Sequence, residues 1–207
     1  MKAKFGTICI LLGVALLLGA LALFLRNTRE DSMAGEAAET LLPQLIEQIE
    51  TRAETVEKPL APAVDIPEEL LTAEDIAMTE VEIDGYGYIG YLTVPDFGLE
   101  LPVMGDWDYD RLKIAPCRYY GSTKSDDLVI MAHNYRRHFS PLSAITEGAP
   151  VVFTDMDGVI SVYEVVAIDF LSPDAVEEMT AGTYDLVLFT CTYGGGSRLT
   201  ICCDRTE

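Results

Sequence analysis

The sequence predicts a mainly β protein: a closed or nearly closed barrel of short strands with brief helices, carried behind a membrane helix and a stem. Three observations lead there. From about Val81 the chain breaks into seven or eight short β-prone runs separated by turn residues, the pattern of a small barrel. Phe5 to Leu25 form an uncharged, mostly apolar run of 21 residues, enough to cross a bilayer at about 20 residues per helical crossing. Between these two parts, residues 30–80 are acidic and interrupted by prolines.

The N-terminal run is flanked by Lys2 and Lys4 before it and by Arg26 and Arg29 after it. Ala20-Leu21-Ala22 resembles a signal-peptidase site, but Leu23-Phe24-Leu25 carry the apolar run past it. An uncleaved anchor is therefore expected rather than a removed signal peptide. The balanced basic flanks leave its orientation open under the positive-inside rule. In the stem, Leu41, Leu42, Leu45, Ile46 and Ile49 recur at helical spacing, so a short amphipathic helix is expected through Pro43-Gln44 to Glu57. Lys58-Pro59-Leu60-Ala61-Pro62-Ala63 and Ile66-Pro67 then read as an extended linker, with the stem as a passive spacer. The expected organisation is an anchor over 1–29, a stem over 30–80 and a barrel domain over 81–207.

The expected strands are Tyr88 to Val94, Leu99 to Val103, Asp127 to Ala132, Pro150 to Thr154, Val159 to Phe170 after the turn signal Asp157-Gly158, Tyr184 to Thr192, and Ser197 to Cys203. Only brief helices fit between them. Tyr109 to Ile114 is one and Pro141 to Thr146 another. A third runs from Ser172, a good N-cap, through Pro173 at the first helical position, to Met179.

Composition narrows the function. The chain of 207 residues carries a net charge of −20. Such an acidic chain repels phosphate backbones, so no nucleic-acid partner is expected, and the acidity serves solubility. The five cysteines, Cys9, Cys117, Cys191, Cys202 and Cys203, form no CxxC pair, and two histidines supply no zinc-site spacing. Cys117, Cys202 and Cys203 are expected to be buried, inert thiols; a disulfide from Cys117 to one of the other two is the alternative.

The chemistry concentrates near the C-terminus. Leu186 to Cys191 is an apolar run that stops at Thr190-Cys191-Thr192, and Arg198 opens the next run after Gly194-Gly195-Gly196. If Tyr193 to Gly196 form the loop of a hairpin, Thr192 faces Ser197 and Cys191 faces Arg198. Opposed residues of an antiparallel pair share a face, with Cβ atoms about 4.5–5.5 Å apart. A thiol is thereby set beside a permanent cation, which favours the nucleophilic thiolate. His133 ends another apolar strand, in Ile130-Met131-Ala132-His133-Asn134-Tyr135, where it opens into a polar loop. His138 lacks such a setting and reads as a loop residue. The three residues suit thiol acyl transfer without metal or cofactor: Cys191 as nucleophile, His133 as general acid and base, Arg198 as stabiliser of the oxyanion or of substrate orientation.

Two other motifs carry less. Asp106-Trp107-Asp108-Tyr109-Asp110 alternates acids as a calcium loop does, but it lacks the turn glycine and terminal glutamate and reads as a solvated loop. Gly194-Gly195-Gly196 is followed by no Lys-Ser/Thr pair and is a turn rather than a phosphate cradle.

Taken together, Ile89-Gly90-Tyr91-Leu92-Thr93-Val94-Pro95, Ala132-His133-Asn134, the Cys191 strand end and Arg198 resemble, in order, the motifs of the sortases, membrane-anchored cysteine transpeptidases of Gram-positive bacteria. Tyr120-Gly121-Ser122 and Phe139-Ser140-Pro141-Leu142 also match, so the resemblance spans about residues 81–205. It implies an eight-stranded sortase-like barrel outside the cell on a single-pass anchor. It implies cleavage of a Leu-Pro-x-Thr-Gly-like sorting signal and transfer of the acyl group to a peptidoglycan or pilin amine. Cys191, His133 and Arg198 fall on the family's catalytic places, and Thr190 on a threonine at the substrate groove; Arg205 lies near but misses the motif. Ala132 replaces the commoner glycine, and Val187 and Leu188 depart from the usual Thr-Leu. The chain ends at Glu207 without a C-terminal apolar helix and lacks an Asp-Pro-aromatic lid motif, both pointing away from the pilus-polymerising class. Two other functions fit the same residues: a membrane-anchored cysteine peptidase with water as acceptor, and a non-catalytic peptide-binding barrel.

Overall fold

In the computed structural model, which describes residues 2–55 and 77–206, the β-prone runs become nine strands: β1 (Val81–Ile83), β2 (Tyr86–Val94), β3 (Leu99–Met104), β4 (Cys117–Tyr120), β5 (Leu128–Ala132), β6 (Pro150–Asp155), β7 (Ile160–Leu171), β8 (Leu186–Cys191) and β9 (Arg198–Arg205). They are hydrogen-bonded in the order β1-β2-β3-β4-β5-β8-β9-β7-β6, and β6 returns to pair with β2. That last pairing closes a barrel of eight strands, β2 to β9, and leaves β1 as a short flap on β2. Closure satisfies the edge groups that an open sheet would expose.

Alternation along the strands explains the core. In β8, Leu186 and Leu188 point into the barrel with Ile130, Phe153 and Ile201. Val187 and Phe189, on the other face, join Val129 and Met179 in an outer cluster. The strand is buried on both faces and so reads as a continuous apolar run. β7 is long enough to pair with both β6 and β9, and a register shift between Val165 and Ala167 interrupts its ladder with β9. Gly90 sits at a similar irregularity in β2. Its φ is +147°, and a Cβ there would lie 2.1 Å from the Thr154 carbonyl oxygen, so only glycine fits.

Two strands escape the periodicity. β1 is three residues long, and β4 carries Arg118 and two tyrosines in Cys117–Tyr120, with no apolar alternation to reveal it. The expected helices shrink. Tyr109 to Ile114 holds only a 3₁₀ turn over Arg111–Lys113, and Pro141 to Thr146 one over Ser140–Ala144. The third helix, α2, is Val176–Met179 with Ala175 at its N-cap. Ser172 does not cap it, because its hydroxyl is held by the Asp174 carboxylate.

The expected anchor and the expected stem helix form one element. α1 runs unbroken over Lys2–Thr55, a length of about 80 Å at 1.5 Å per residue. Its apolar part is long enough to cross a membrane and is not covered by the barrel. Further along, Ala34, Ala38, Leu41, Leu45 and Ile49 are buried at spacings of three and four, the stripe of a docked amphipathic face. Leu41, Leu45 and Ile49 pack with Ile83, Tyr88, Met104 and Leu112. Each such side chain contributes roughly 1.5–3 kcal/mol relative to exposure. Pro43 lies inside the helix, where the ring disrupts a turn, yet Leu41 and Leu45 hold the chain to the barrel on either side of it. This part of the stem is thus a packed element rather than a free spacer. The expected linker over 58–67 lies outside the described residues.

Candidate active site

Three adjacent strand ends build the site. β5 and β8 are parallel, with Ala132 opposite Thr190, so both strands deliver their C-termini to the same rim. One residue further on, His133 leaves β5 and Cys191 ends β8. β9 is antiparallel to β8, with Cys191 opposite Arg198, the register that the loop length predicts. Neighbouring strands lie about 4.8 Å apart, so the three side chains rise from one short stretch of rim.

The hairpin is locked beyond the strands. The Thr192 N–H donates to the Ser197 carbonyl at 3.0 Å, and Gly195 N–H to the Thr192 carbonyl at 2.8 Å. Ser197 N–H in turn donates to the Thr192 hydroxyl at 3.1 Å. Gly194 and Gly195 have φ of +83° and +72°, the left-handed region that glycine enters without penalty. Among the described residues, the Arg198 guanidinium makes only long hydrogen bonds, to the carbonyls of Gly195 at 3.4 Å and Ser197 at 3.5 Å. Thr190 is buried, and its hydroxyl donates to the Ala132 carbonyl at 2.8 Å. It therefore ties β8 to β5 directly below His133 and Cys191.

His133 stacks on Tyr135 with ring centroids 4.8 Å apart, and Tyr135 on His138 at 5.5 Å. Burial pushes His133 below its ordinary value; the Glu30 carboxylate on α1 works against that, and Lys113 adds to it. His138 sits in a loop, as its setting suggested, but it is fully buried there. Among the described residues, neither of its nitrogens makes a hydrogen bond of normal geometry; burial lowers it to about 4, and a weak contact with the Ile114 backbone works against that.

Cys191, His133 and Arg198 all line one cavity of about 200 Å³. Its remaining wall is largely apolar, with Trp107, Tyr119, Phe189 and Met179. Trp107 packs on Tyr119 at 5.7 Å, and Tyr119 meets Phe189 edge-on at 5.3 Å. Cys191 also borders a second cavity, of about 600 Å³, whose lining includes Asn27, Thr28 and Asp31 of α1 with Asn134, Arg136 and Thr192. The α1 residues, Trp107 and Tyr119 were not legible as site residues, since they are distant in sequence from the strand ends. Trp107, the one tryptophan of the chain, was the available hint.

The remaining candidates have structural settings. The acids of residues 106–110 are occupied: Asp108 accepts the N–H groups of Asp110 and Arg111 at 2.8 and 2.7 Å. Arg111 pairs with Asp106 and Asp108, and Lys113 with Asp110. Arg205 closes β9, donating to Thr123 O at 2.6 Å and Ser161 at 2.9 Å while pairing with Asp126 at 2.7 Å. Cys117, Cys202 and Cys203 are free and buried, and burial pushes all three thiols up, Cys117 to about 12 and Cys202 to about 11.

A family model described as Sortase domain matches residues 92–206, more than half of the chain. With the closed barrel, this makes the protein a cysteine transpeptidase. The chain belongs to the sortase family. Among solved structures, it is similar to sortase C from Streptococcus pneumoniae, with 20% identity over 83% of this chain and 97% of that one and a TM-score of 0.54. Sortase A from Corynebacterium diphtheriae gives 17% identity over 91% and 96% with a TM-score of 0.54. Sortase C from Clostridium perfringens SM101 gives 21% over 80% and 89% with a TM-score of 0.51. At these identities the likeness speaks to the fold, and it spans both sortase classes named. No curated protein sequence matches the chain significantly.

Proposed function

We propose that the protein cleaves a Leu-Pro-x-Thr-Gly-like sorting signal and transfers the acyl part to a peptidoglycan or pilin amine through a thioester on Cys191. The observation that carries this reading is the single cavity lined by Cys191, His133 and Arg198. The thiolate of Cys191 attacks the scissile amide carbonyl, and the Arg198 guanidinium stabilises the oxyanion that forms. The C–N bond then breaks, and the leaving amine takes its proton from the His133 imidazolium. Burial makes that imidazolium a stronger acid than an exposed one, which suits the donation. In the second half, the incoming amine attacks the thioester, the C–S bond breaks, and His133 takes the proton that the nitrogen loses.

The apolar wall of Trp107, Tyr119, Phe189 and Met179 suits the leucine and proline of such a signal. Thr190, with its hydroxyl bonded to Ala132, positions the floor of that groove. In this reading residues 1–29 are a single-pass anchor, residues 30–80 a stem, and residues 81–207 the catalytic domain, held outside the cell.

The test incubates the full chain in detergent with Leu-Pro-x-Thr-Gly-like peptides, with and without oligoglycine or diaminopimelate, and reads products by mass spectrometry beside a Cys191→Ala control. The expected result is an amine-dependent ligated product that the control does not form. Hydrolysis indifferent to every amine would instead identify a peptidase. No product together with a Cys191 inert to alkylation would leave a binding barrel.

A further inference from the structure

An acyl-thioester on Cys191 must be approached by its acceptor from a side that the signal does not fill. Cys191 borders several cavities, and two of them differ in the groups they offer. One is the apolar cavity assigned above to the signal. Another, of about 600 Å³, carries the charged side chains of Asp31 and Arg136, and one of its walls is the membrane-proximal part of α1. We propose that this second cavity is the acceptor site and that Thr28 and Asp31 of the anchor helix select the acceptor; the proposal rests on the transpeptidase reading.

The charges name the ligand class. Among the residues lining the cavity, Asp31 is the one acid and Arg136 the one base. Asp31 accepts the Arg137 N–H at 3.3 Å through one oxygen, which leaves further acceptor capacity on its carboxylate. Arg137 is engaged by Glu39 at 2.8 Å, whereas Arg136 is exposed and lines both this cavity and its neighbour. One charge of each sign fits an acceptor that carries an amine beside a carboxylate, as an amino-acid end group does. Charge-assisted hydrogen bonds of this kind are the stronger ones.

The wall is fixed rather than incidental. α1 is docked by Leu41, Leu45 and Ile49, and at Gly35 it lies so close that a Cβ would sit 2.8 Å from the Arg137 side chain. With residues 1–29 as the anchor, the cavity opens at the membrane surface. Phe24, the penultimate residue of the apolar run, lines it together with Tyr193, which is 94% exposed at the hairpin tip. Aromatic side chains favour the headgroup level. The acceptor is therefore met where α1 leaves the bilayer. Bound there as an ammonium, the amine releases one proton to solvent. Its nitrogen then attacks the thioester carbonyl, a C–N bond replaces the C–S bond, Cys191 leaves as thiolate, and the second proton passes to neutral His133.

The test uses the full chain in nanodiscs with a Leu-Pro-x-Thr-Gly-like peptide and either diaminopimelate or cadaverine, the same diamine without carboxylates. The readout is the ratio of ligated to hydrolysed product, which does not depend on enzyme amount or on the rate of acylation. In Asp31→Asn the ratio is expected to fall about tenfold with both amines. Arg136→Ala is expected to lower it for diaminopimelate only. Thr28→Leu, whose hydroxyl bonds only its own helix at Phe24 O, narrows the cavity and lowers the ratio without touching a charge. Wild-type ratios in all three variants overturn the acceptor assignment while leaving the transpeptidase intact. A wild-type enzyme that forms neither product overturns the transpeptidase reading itself.

Discussion

Cys191 and Arg198 are paired residues across the β8–β9 hairpin, and the glycine turn between them sets that register. A slip of one residue would send Arg198 to the other face of the sheet. The arginine is partly exposed and bonds no side chain strongly, so its position owes more to backbone pairing than to its own contacts.

Arg198→Ala should therefore cost activity rather than stability. Loss of one oxyanion donor lowers turnover by roughly 10²–10³-fold in comparable sites, and Arg198→Lys should recover part of it as a point charge without the fork. Steady-state kinetics beside a thermal melt decides this. A melt that collapses along with activity would mean that the guanidinium holds the hairpin.

Glu30 reaches the site electrostatically from α1. Its carboxylate favours the imidazolium of His133 against burial, so Glu30→Gln should move the His133 titration further down. His138, which feels burial first and His133 next, should hardly move. The chain has only two histidines, so an NMR titration separates them once one is replaced. An unmoved His133 in Glu30→Gln would mean that water screens the pair.

His138 makes the fold acid-sensitive. Its folded value is about 4, against about 6.5 in an unfolded chain. Above pH 6.5 both states are neutral there and His138 contributes no pH dependence. As pH falls from 6.5 to about 4, the unfolded chain takes a proton that the folded one refuses. Stability then drops by about 3 kcal/mol through this group and levels off below that window. Urea midpoints across pH 4 to 7 for the wild type and His138→Leu measure it; the variant should lose this part of the slope. Identical slopes would show that other groups carry the acid response.

Leu45 is fully buried under α1. Leu45→Ala should weaken the docking of the helix by about 2–5 kcal/mol. Hydrogen exchange on the full chain in detergent should show lost protection over Ala34 to Ile49 while β8 and β9 keep theirs. Unchanged protection would mean that the ion pair of Arg137 with Glu39 and the Gly35 contact suffice to hold α1.

Much of this molecule was readable because its signals are local. The N-terminal apolar run, the short β-prone runs of the long strands, the Asp157-Gly158 turn and the glycine loop all act within a few residues. The Cys191–Arg198 pairing follows from loop length alone. The short β4, with Arg118 followed by two adjacent tyrosines, carried no such signal, and Ser172 lost its helix to a competing carboxylate two residues away.

What tertiary structure decided is everything that depends on long-range pairing. His133 stands beside Cys191 only because β5 and β8 run parallel with Ala132 opposite Thr190, a register between segments far apart in the chain. The same holds for α1. Its stripe from Ala34 to Ile49 announces an apolar face, but only packing on β2, β3 and the Arg111–Lys113 turn selects the barrel as its partner. That choice brings Asp31 and Glu30 to the site. Local sequence specifies periodicity and turns through short-range sterics and hydrogen bonds. Which faces meet is settled by the burial of apolar surface across the whole barrel, which no single stretch of sequence contains.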